Sequence, residues 1–271
     1  MESVKLIESW PVDNAATAVV GPDGTVLGTH GDQQRRFPLA SVTKLLSAYA
    51  VLMAVEEGAL ELDQAAGPEG STVRHLLAHC AGFDFGDRTI RFAPGARRLY
   101  SNAGFEVLGE TLEAATGMSF AAYLKEGVLA PLDMADTSLD GSPAAGATST
   151  AADLSRFAAE LQKPSLLAPS TLQEATRLAY PGLSGVLPGF GRQQDNDWGL
   201  GFEIRGHKDP HWTGANSSPN TFGHFGQSGT FLWVDPDAGA ACLALTDRDF
   251  GPWAAEIWPK YTDEVLAELE R

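Results

Sequence analysis

Apolar residues are densest over residues 37–58, FPLASVTKLLSAYAVLMAVEEG, where Leu45, Leu46, Tyr49, Ala50, Leu52, Met53 and Val55 cover nearly the whole circumference of a helix. Pro38 sits where such a helix can begin and Gly58 where it can stop. A helix that is apolar all round belongs in the middle of a protein. Ahead of it, residues 2–9 suit a short helix ended by Pro11. AATAVV and TVLGTHG then flank the turn Gly21-Pro22-Asp23-Gly24, which predicts a β-hairpin. Behind it the alternating pattern of strands almost disappears, and residues 58–178 read as helices joined by loops. Ser71 or Thr72 caps a short helix through Val73, Leu76 and Leu77, ending near Gly82. A second is predicted over residues 105–116 with Gly117 as its stop, and PGARRLYSN forms a loop ahead of it. Ser119 opens a third through Phe120 and Tyr123 that Pro131 ends near Leu132. Thr150 and Asp153 make a capping-box-like start for a fourth through Leu161, and Ser170 can cap a fifth.

Strand character returns late in the chain. WGLGFEIRG reads as one strand, and TFGHFGQSGTFLWVDPDAGAACLALTDRD as two more around the turn Asp235-Pro236-Asp237. A closing helix is expected from Trp253 to Arg271, with Pro259 near its start. Between the helices and these strands, Phe190, Trp198, Trp212 and Phe222 suit either a cleft lining or packing under long loops. The sheet is therefore assembled from both ends of the chain. The fold class is α+β: an antiparallel sheet flanked by N- and C-terminal helices, with an all-helical lobe inserted. One catalytic unit of two lobes is expected, an α/β lobe over about 1–57 and 180–271 and a helical lobe over about 58–179.

Composition narrows the function classes. With 271 residues and 44% hydrophobic content the chain can bury a large core. Nineteen basic residues against thirty-five acidic leave a formal charge of −16, which repels nucleic acid and anionic membranes, so neither is expected as a partner. No apolar run reaches the length of a membrane span. MESVKLIESWP lacks the basic start and apolar middle of a secretory signal, so a cytoplasmic location is expected. Cys80 and Cys242 lie in apolar stretches and read as buried free thiols. His75 and His79 have the spacing of a metal pair, but no glutamate follows His75 and no third ligand is evident, so no metal and no cofactor are expected.

The chemistry is expected at the mouth of the apolar helix. Ser41 and Lys44 stand three residues apart and so share a helical face, within reach of each other. Burial strips hydration from an ammonium and lowers its pKa, and a lysine near neutrality can take a proton from serine. Taken alone, Ser-x-x-Lys equally fits an N-cap serine beside a snorkelling lysine. Three motifs in order change that balance: SVTK at 41–44, YSN at 100–102 and HFG at 224–226. With the flanks STVRHLLAHCAGF, PGARRLYSNAGFEVLGETLEAATGMSFAAYL and GHFGQSGTFLWVDPD, the set resembles the serine β-lactamase and penicillin-binding-protein superfamily over most of the chain. Within it, the resemblance is to the class C-like branch of esterases, amidases and D-amino-acid peptidases.

That resemblance implies a β-lactamase/transpeptidase-like fold and roles for seven residues. Ser41 would be the nucleophile that forms an acyl-enzyme. Lys44 and Tyr100 would share the proton work, Tyr100 as a partial phenolate beside the ammonium, with either as the immediate base. Asn102 would orient Lys44 and hold the acyl side of the substrate. His224 and Gly226 belong to the substrate-binding strand, and the amides of Ser41 and Gln227 would form the oxyanion hole. β-Lactamases and transpeptidases carry Lys-Thr-Gly at the third motif, whose charge and hydroxyl hold a substrate carboxylate. Here His224 and Phe225 stand in those places, and neither supplies a fixed charge and a hydroxyl. The expected activity is therefore hydrolysis of a small-molecule ester or unstrained amide. A β-lactamase or D,D-carboxypeptidase is the alternative enzyme, and an idle acyl-sensor on the same fold the alternative from another class.

Overall fold

The computed structural model describes residues 1–270. A 3-10 turn at Ser3–Ser9 leads into β1 (Ala15–Val20), β2 (Val26–His30) and the two-residue β3 (Phe37–Pro38). A second 3-10 turn, Ala40–Val42, then opens α1 (Thr43–Glu56). Next come α2 (Val73–Leu77), α3 (Asn102–Thr116) and α4 (Phe120–Leu124), which continues as a π-turn over Lys125–Leu129. After β4 (Ser138–Leu139) and β5 (Ala147–Ser149) follow α5 (Ala151–Gln162) and α6 (Pro169–Ala175). The chain ends through β6 (Gly185–Leu187), β7 (Gly191–Gln193), β8 (Glu203–Ile204), β9 (Phe222–Gly226), β10 (Thr230–Asp235), β11 (Ala240–Thr246) and α7 (Pro252–Leu269).

A six-stranded antiparallel sheet, in the order β2-β1-β11-β10-β9-β8, is the frame. Its central strands are covered on both faces, which is why they read as near-continuous apolar runs. Alternate residues divide between two cores. Ala16, Ala18, Val20, Leu232, Val234, Leu243 and Leu245 face α1, α5 and the inserted helices. Val19, Phe231, Trp233, Cys242 and Ala244 face the N-terminal turn and α7, where Trp10, Trp258 and Tyr261 pack. Helix α1 is buried from Thr43 to Ala54, as its unbroken apolar circumference demands. Both cysteines are buried and free.

Several local expectations are corrected. Pro38 does not begin the central helix: it lies in β3, paired with Thr148 of β5, and α1 starts at Thr43. The inserted segment thus contributes a small sheet, β3-β5-β4, and its helix α5 packs on β1 and β11. Helix α2 ends at Leu77 rather than near Gly82, because His79 takes a left-handed backbone with φ 52°. Asn102 is the first residue of α3 and not part of the loop ahead of it, since Ser101 accepts the Gly104 amide and caps the helix one turn earlier than expected. Ala168, not Ser170, precedes α6. The late sheet has three long strands where two were expected, because a tight Gln227-Ser228-Gly229 turn separates β9 from β10. WGLGFEIRG keeps only Glu203–Ile204 as strand, and Pro259 lies well inside α7. Arg271, the last residue of the expected closing helix, lies outside the described residues.

Candidate active site

The first and second motifs converge because both of their segments are pinned at the backbone. Ser41 sits in the turn ahead of α1, directly after Ala40, whose φ of 45° is left-handed for a residue with a Cβ. That turn is tied to the sheet by Thr230 Oγ1 donating to the Leu39 carbonyl at 2.9 Å and Ser228 Oγ to the Pro38 carbonyl at 2.7 Å. Gly226 faces this turn so closely that a Cβ there would meet the Leu39 carbonyl and Ala40, which explains the glycine of the third motif. On the opposite side, Leu99 N–H donates to the His79 carbonyl at 2.8 Å, Ser101 N–H to His79 Nδ1 at 3.2 Å and Asn102 N–H to the Phe85 carbonyl at 2.7 Å.

Tyr100 therefore presents its hydroxyl to Ser41, donating to Oγ at 2.6 Å. Lys44 Nζ lies 3.4 Å from the same Oγ and donates to Asn102 Oδ1 at 2.6 Å and to the Ala144 carbonyl at 2.9 Å. The Lys44 side chain is 0% exposed. Burial holds its pKa well below the ordinary lysine value, against a small opposing pull from Glu106. The partial phenolate expected at Tyr100 is not supported. Burial drives its pKa up, the Ser41 hydrogen bond only partly offsets this, and Glu203 pushes it higher still. The lysine nitrogen lies 4.6 Å from the Tyr100 ring centre, over the ring face. Burial thus favours the neutral phenol at Tyr100.

His224 projects from β9 between Tyr100 and Trp198, with ring centres 5.5 and 5.3 Å away. Its Nδ1 is 2.6 Å from the Phe225 carbonyl, which can only accept, so Nδ1 carries the proton and the buried, unpartnered Nε2 offers a lone pair. Burial, and then the nearby Lys44, push its pKa down to about 3. The sign follows: between an unfolded value of about 6.5 and the folded value the unfolded chain binds the extra proton, so this side chain's contribution to stability is present above about pH 6.5 and lost as pH falls. The expected slope is about 1.4 kcal/mol per pH unit below pH 6. Denaturant titrations at pH 7, 6 and 5 should show His224→Gln flattening the acid limb by one proton.

All seven residues read from the sequence lie at or beside one pocket of about 90 Å³, walled also by Phe85, Trp198 and Glu203. Gln227 follows β9 at its mouth. Of the aromatics offered as a cleft lining, Trp198 takes that place, whereas Phe190 and Trp212 pack in the α7 core and Phe222 in the other. The metal-like histidine pair separates: His75 stacks on Tyr180, and His79 lies against Tyr100, Phe105 and Trp198. Among the described residues no group of three or more acidic, histidine or cysteine side chains is arranged to hold a metal ion. No helix among them is long and apolar enough to cross a membrane.

Two supporting residues had no clear signal in the sequence. Arg98, buried beside Tyr100, donates to the carbonyls of Ala78, Ala179, Tyr180 and Asn196, clasping three loops around the pocket. Glu203, buried in the pocket wall, pairs with Lys208 Nζ at 2.8 Å and His211 Nε2 at 2.9 Å and accepts from the Trp212 indole. Burial alone would raise its pKa, but Lys208 and His211 outweigh that and hold it below the usual carboxylate range.

Comparison with known proteins bears on the family and the fold. The chain superposes on the crystal structure of a beta-lactamase from Mycobacterium bovis with a TM-score of 0.97 and 54% identity, covering 98% of this chain and 99% of that one. It is 25% identical over 328 aligned positions to esterase EstB of Burkholderia gladioli, covering 85% of this chain and 82% of EstB. It is 27% identical to penicillin-binding protein 4* of Bacillus subtilis over 134 positions, covering 37% of this chain and only 30% of that protein's length. The Beta-lactamase family model matches residues 12–267, nearly the whole sequence, and the chain belongs to that family.

Proposed function

We propose that the protein is a serine hydrolase that cleaves a small-molecule ester or unstrained amide through a Ser41 acyl-enzyme. The observation that carries this is the hydrogen-bond inventory of Lys44. Burial favours the neutral form of this amine, which has two N–H donors and one lone pair where the ammonium would donate to all three neighbours. Asn102 Oδ1 and the Ala144 carbonyl take the two donors, which leaves the lone pair for the Ser41 hydroxyl. In this reading Ser41 Oγ attacks the carbonyl carbon as its proton passes to Lys44. The oxygen that becomes negative is received by the Ser41 and Gln227 amides. The leaving group departs with a proton from Tyr100, which recovers one from Lys44, and water repeats the cycle to free Ser41. Tyr100 thus acts as an acid, as its raised pKa favours. Tyr100→Phe is expected to lower kcat by about 10²-fold with KM little changed, since the hydroxyl serves proton transfer and not ground-state binding.

A β-lactamase or D,D-carboxypeptidase is the second reading, favoured by the likeness to the Mycobacterium bovis structure and to penicillin-binding protein 4*. Against it stands His224, which offers a neutral acceptor where a substrate carboxylate would need a cation. Intact-mass spectrometry after a fluorophosphonate and, separately, benzylpenicillin decides between them when run beside p-nitrophenyl acetate turnover. Fluorophosphonate labelling of the Ser41 peptide with ester turnover and no penicilloyl adduct supports the esterase. A penicilloyl adduct that forms and clears quickly supports the β-lactamase. A stable adduct without turnover points to an acyl-sensor.

A further inference from the structure

The Ser41 pocket is too small for more than the reacting group, yet it opens over Phe85, Tyr100 and Pro188 into a second groove of about 440 Å³. One wall is the loop between α2 and α3, carrying Phe85 and Phe92, and the other is the β6–β7 hairpin, carrying Val186 and Pro188. The hairpin is held in place: Arg98 N–H donates to the Ser184 carbonyl at 3.1 Å, and Gly185 bridges to Arg98 so tightly that a Cβ would meet its carbonyl. Val186 is 60% exposed and Phe85 54%, and Ile90 and Phe92 on the same loop are also exposed. Three of the eight exposed large apolar side chains, Phe85, Phe92 and Val186, therefore line this one groove.

In a chain of net charge −16, three arginines, Arg97, Arg98 and Arg192, stand at the groove, and Arg98 is spent on backbone carbonyls. Arg35, Arg74, Arg88, Arg91 and Arg156 are each paired with an acid, and Arg36, Arg98, Arg205 and Arg248 donate to hydroxyl or carbonyl oxygens; among the described residues Arg97 and Arg192, like Arg177, have neither a carboxylate within ion-pair distance nor a side-chain hydrogen bond. Arg97 instead lies over the Phe92 ring, 4.8 Å from its centre. An apolar trough ending at two free guanidinium groups fits a ligand that is apolar along its length and anionic at its end.

We propose that this groove binds one arm of the substrate, an apolar chain lying on Phe85, Phe92, Val186 and Pro188 and ending in a carboxylate or phosphate held by Arg97 and Arg192. The proposal rests on the hydrolase reading and adds the substrate class to it. The anion site is then at the groove and not on β9, where His224 is neutral. Titration calorimetry of the wild-type protein with octanoate, octyl phosphate, 1-octanol and inorganic phosphate tests it without requiring turnover. The two octyl anions are expected to bind about three- to tenfold more tightly than octanol, the range for two exposed ion pairs, and the preference should vanish in high salt. Their relative affinities tell a carboxylate arm from a phosphate arm. Arg97→Gln/Arg192→Gln should remove the preference, and Val186→Asp should weaken all three octyl ligands about tenfold, while both variants keep p-nitrophenyl acetate turnover. Octanol binding as tightly as the anions, a preference that survives the double substitution, or inorganic phosphate matching octyl phosphate would overturn the proposal. Saturable octyl-anion binding in a protein whose Ser41 takes no probe would instead overturn the hydrolase reading and leave the groove as a ligand site.

Discussion

Ser41→Ala is expected to lower kcat/KM for p-nitrophenyl acetate by on the order of 10³-fold or more, with a melting temperature within about 2 °C of wild type. The two halves of this expectation come from the same geometry. Ser41 Oγ is the atom on which both proton-handling groups converge, so removing it removes the nucleophile and leaves Lys44 and Tyr100 with nothing to activate. The fold does not depend on it. Lys44 keeps its bonds to Asn102 and Ala144, and the turn keeps its ties through Leu39, Thr230 and Ser228. Steady-state kinetics and thermal unfolding on one preparation check both halves. Wild-type turnover in the variant would end the acyl-enzyme reading, because among the described residues Ser41 is the serine that hydrogen-bonds both Lys44 and Tyr100. A large loss of stability would mean that the hydroxyl is structural, and the rate loss could not then be assigned to chemistry.

Much of this site was legible because its geometry is local. The three-residue spacing of Ser41 and Lys44 and the unbroken apolar circumference after them are short-range features that sequence expresses directly, whereas the cap at Ser101 was missed. What escaped depends on long-range partners. Pro38 was free to start a helix by its own preference, and only β5, more than a hundred residues later, makes it a strand. The burial that pushes the Tyr100 pKa up comes from residues distant in sequence and cannot be read from the proximity of a lysine. The groove beside Ser41 is made largely by two loops without periodicity, residues 82–92 and 184–193, and Arg98 clasps the segments flanking them through the carbonyls of Ala78, Ala179, Tyr180 and Asn196, which no motif marks.

Lys208→Met is expected to destabilise the protein by about 3–5 kcal/mol at pH 7, the usual cost of removing one partner from a buried ion pair. The Lys208 and Glu203 side chains are 0% and 2% exposed, so water cannot replace the lost contact. Glu203 would remain charged in the pocket wall with only the His211 ring and the Trp212 indole beside it. Glu203→Leu/Lys208→Met removes both charges and should recover part of the loss, though not all, because His211 Nε2 and Trp212 Nε1 lose their acceptor. Acidity supplies the sign check. In the wild type the carboxylate is depressed below its unfolded value of about 4.3, so its contribution is present above that pH and lost as pH falls towards the folded value. In Lys208→Met the strongest opposing charge is gone, the folded pKa rises, and less remains to be lost. The gap between variant and wild type should therefore narrow from pH 7 to pH 4 in denaturant titrations. A gap that stays constant would mean that the cost is one of packing around the lysine stem and not of an unpaired carboxylate.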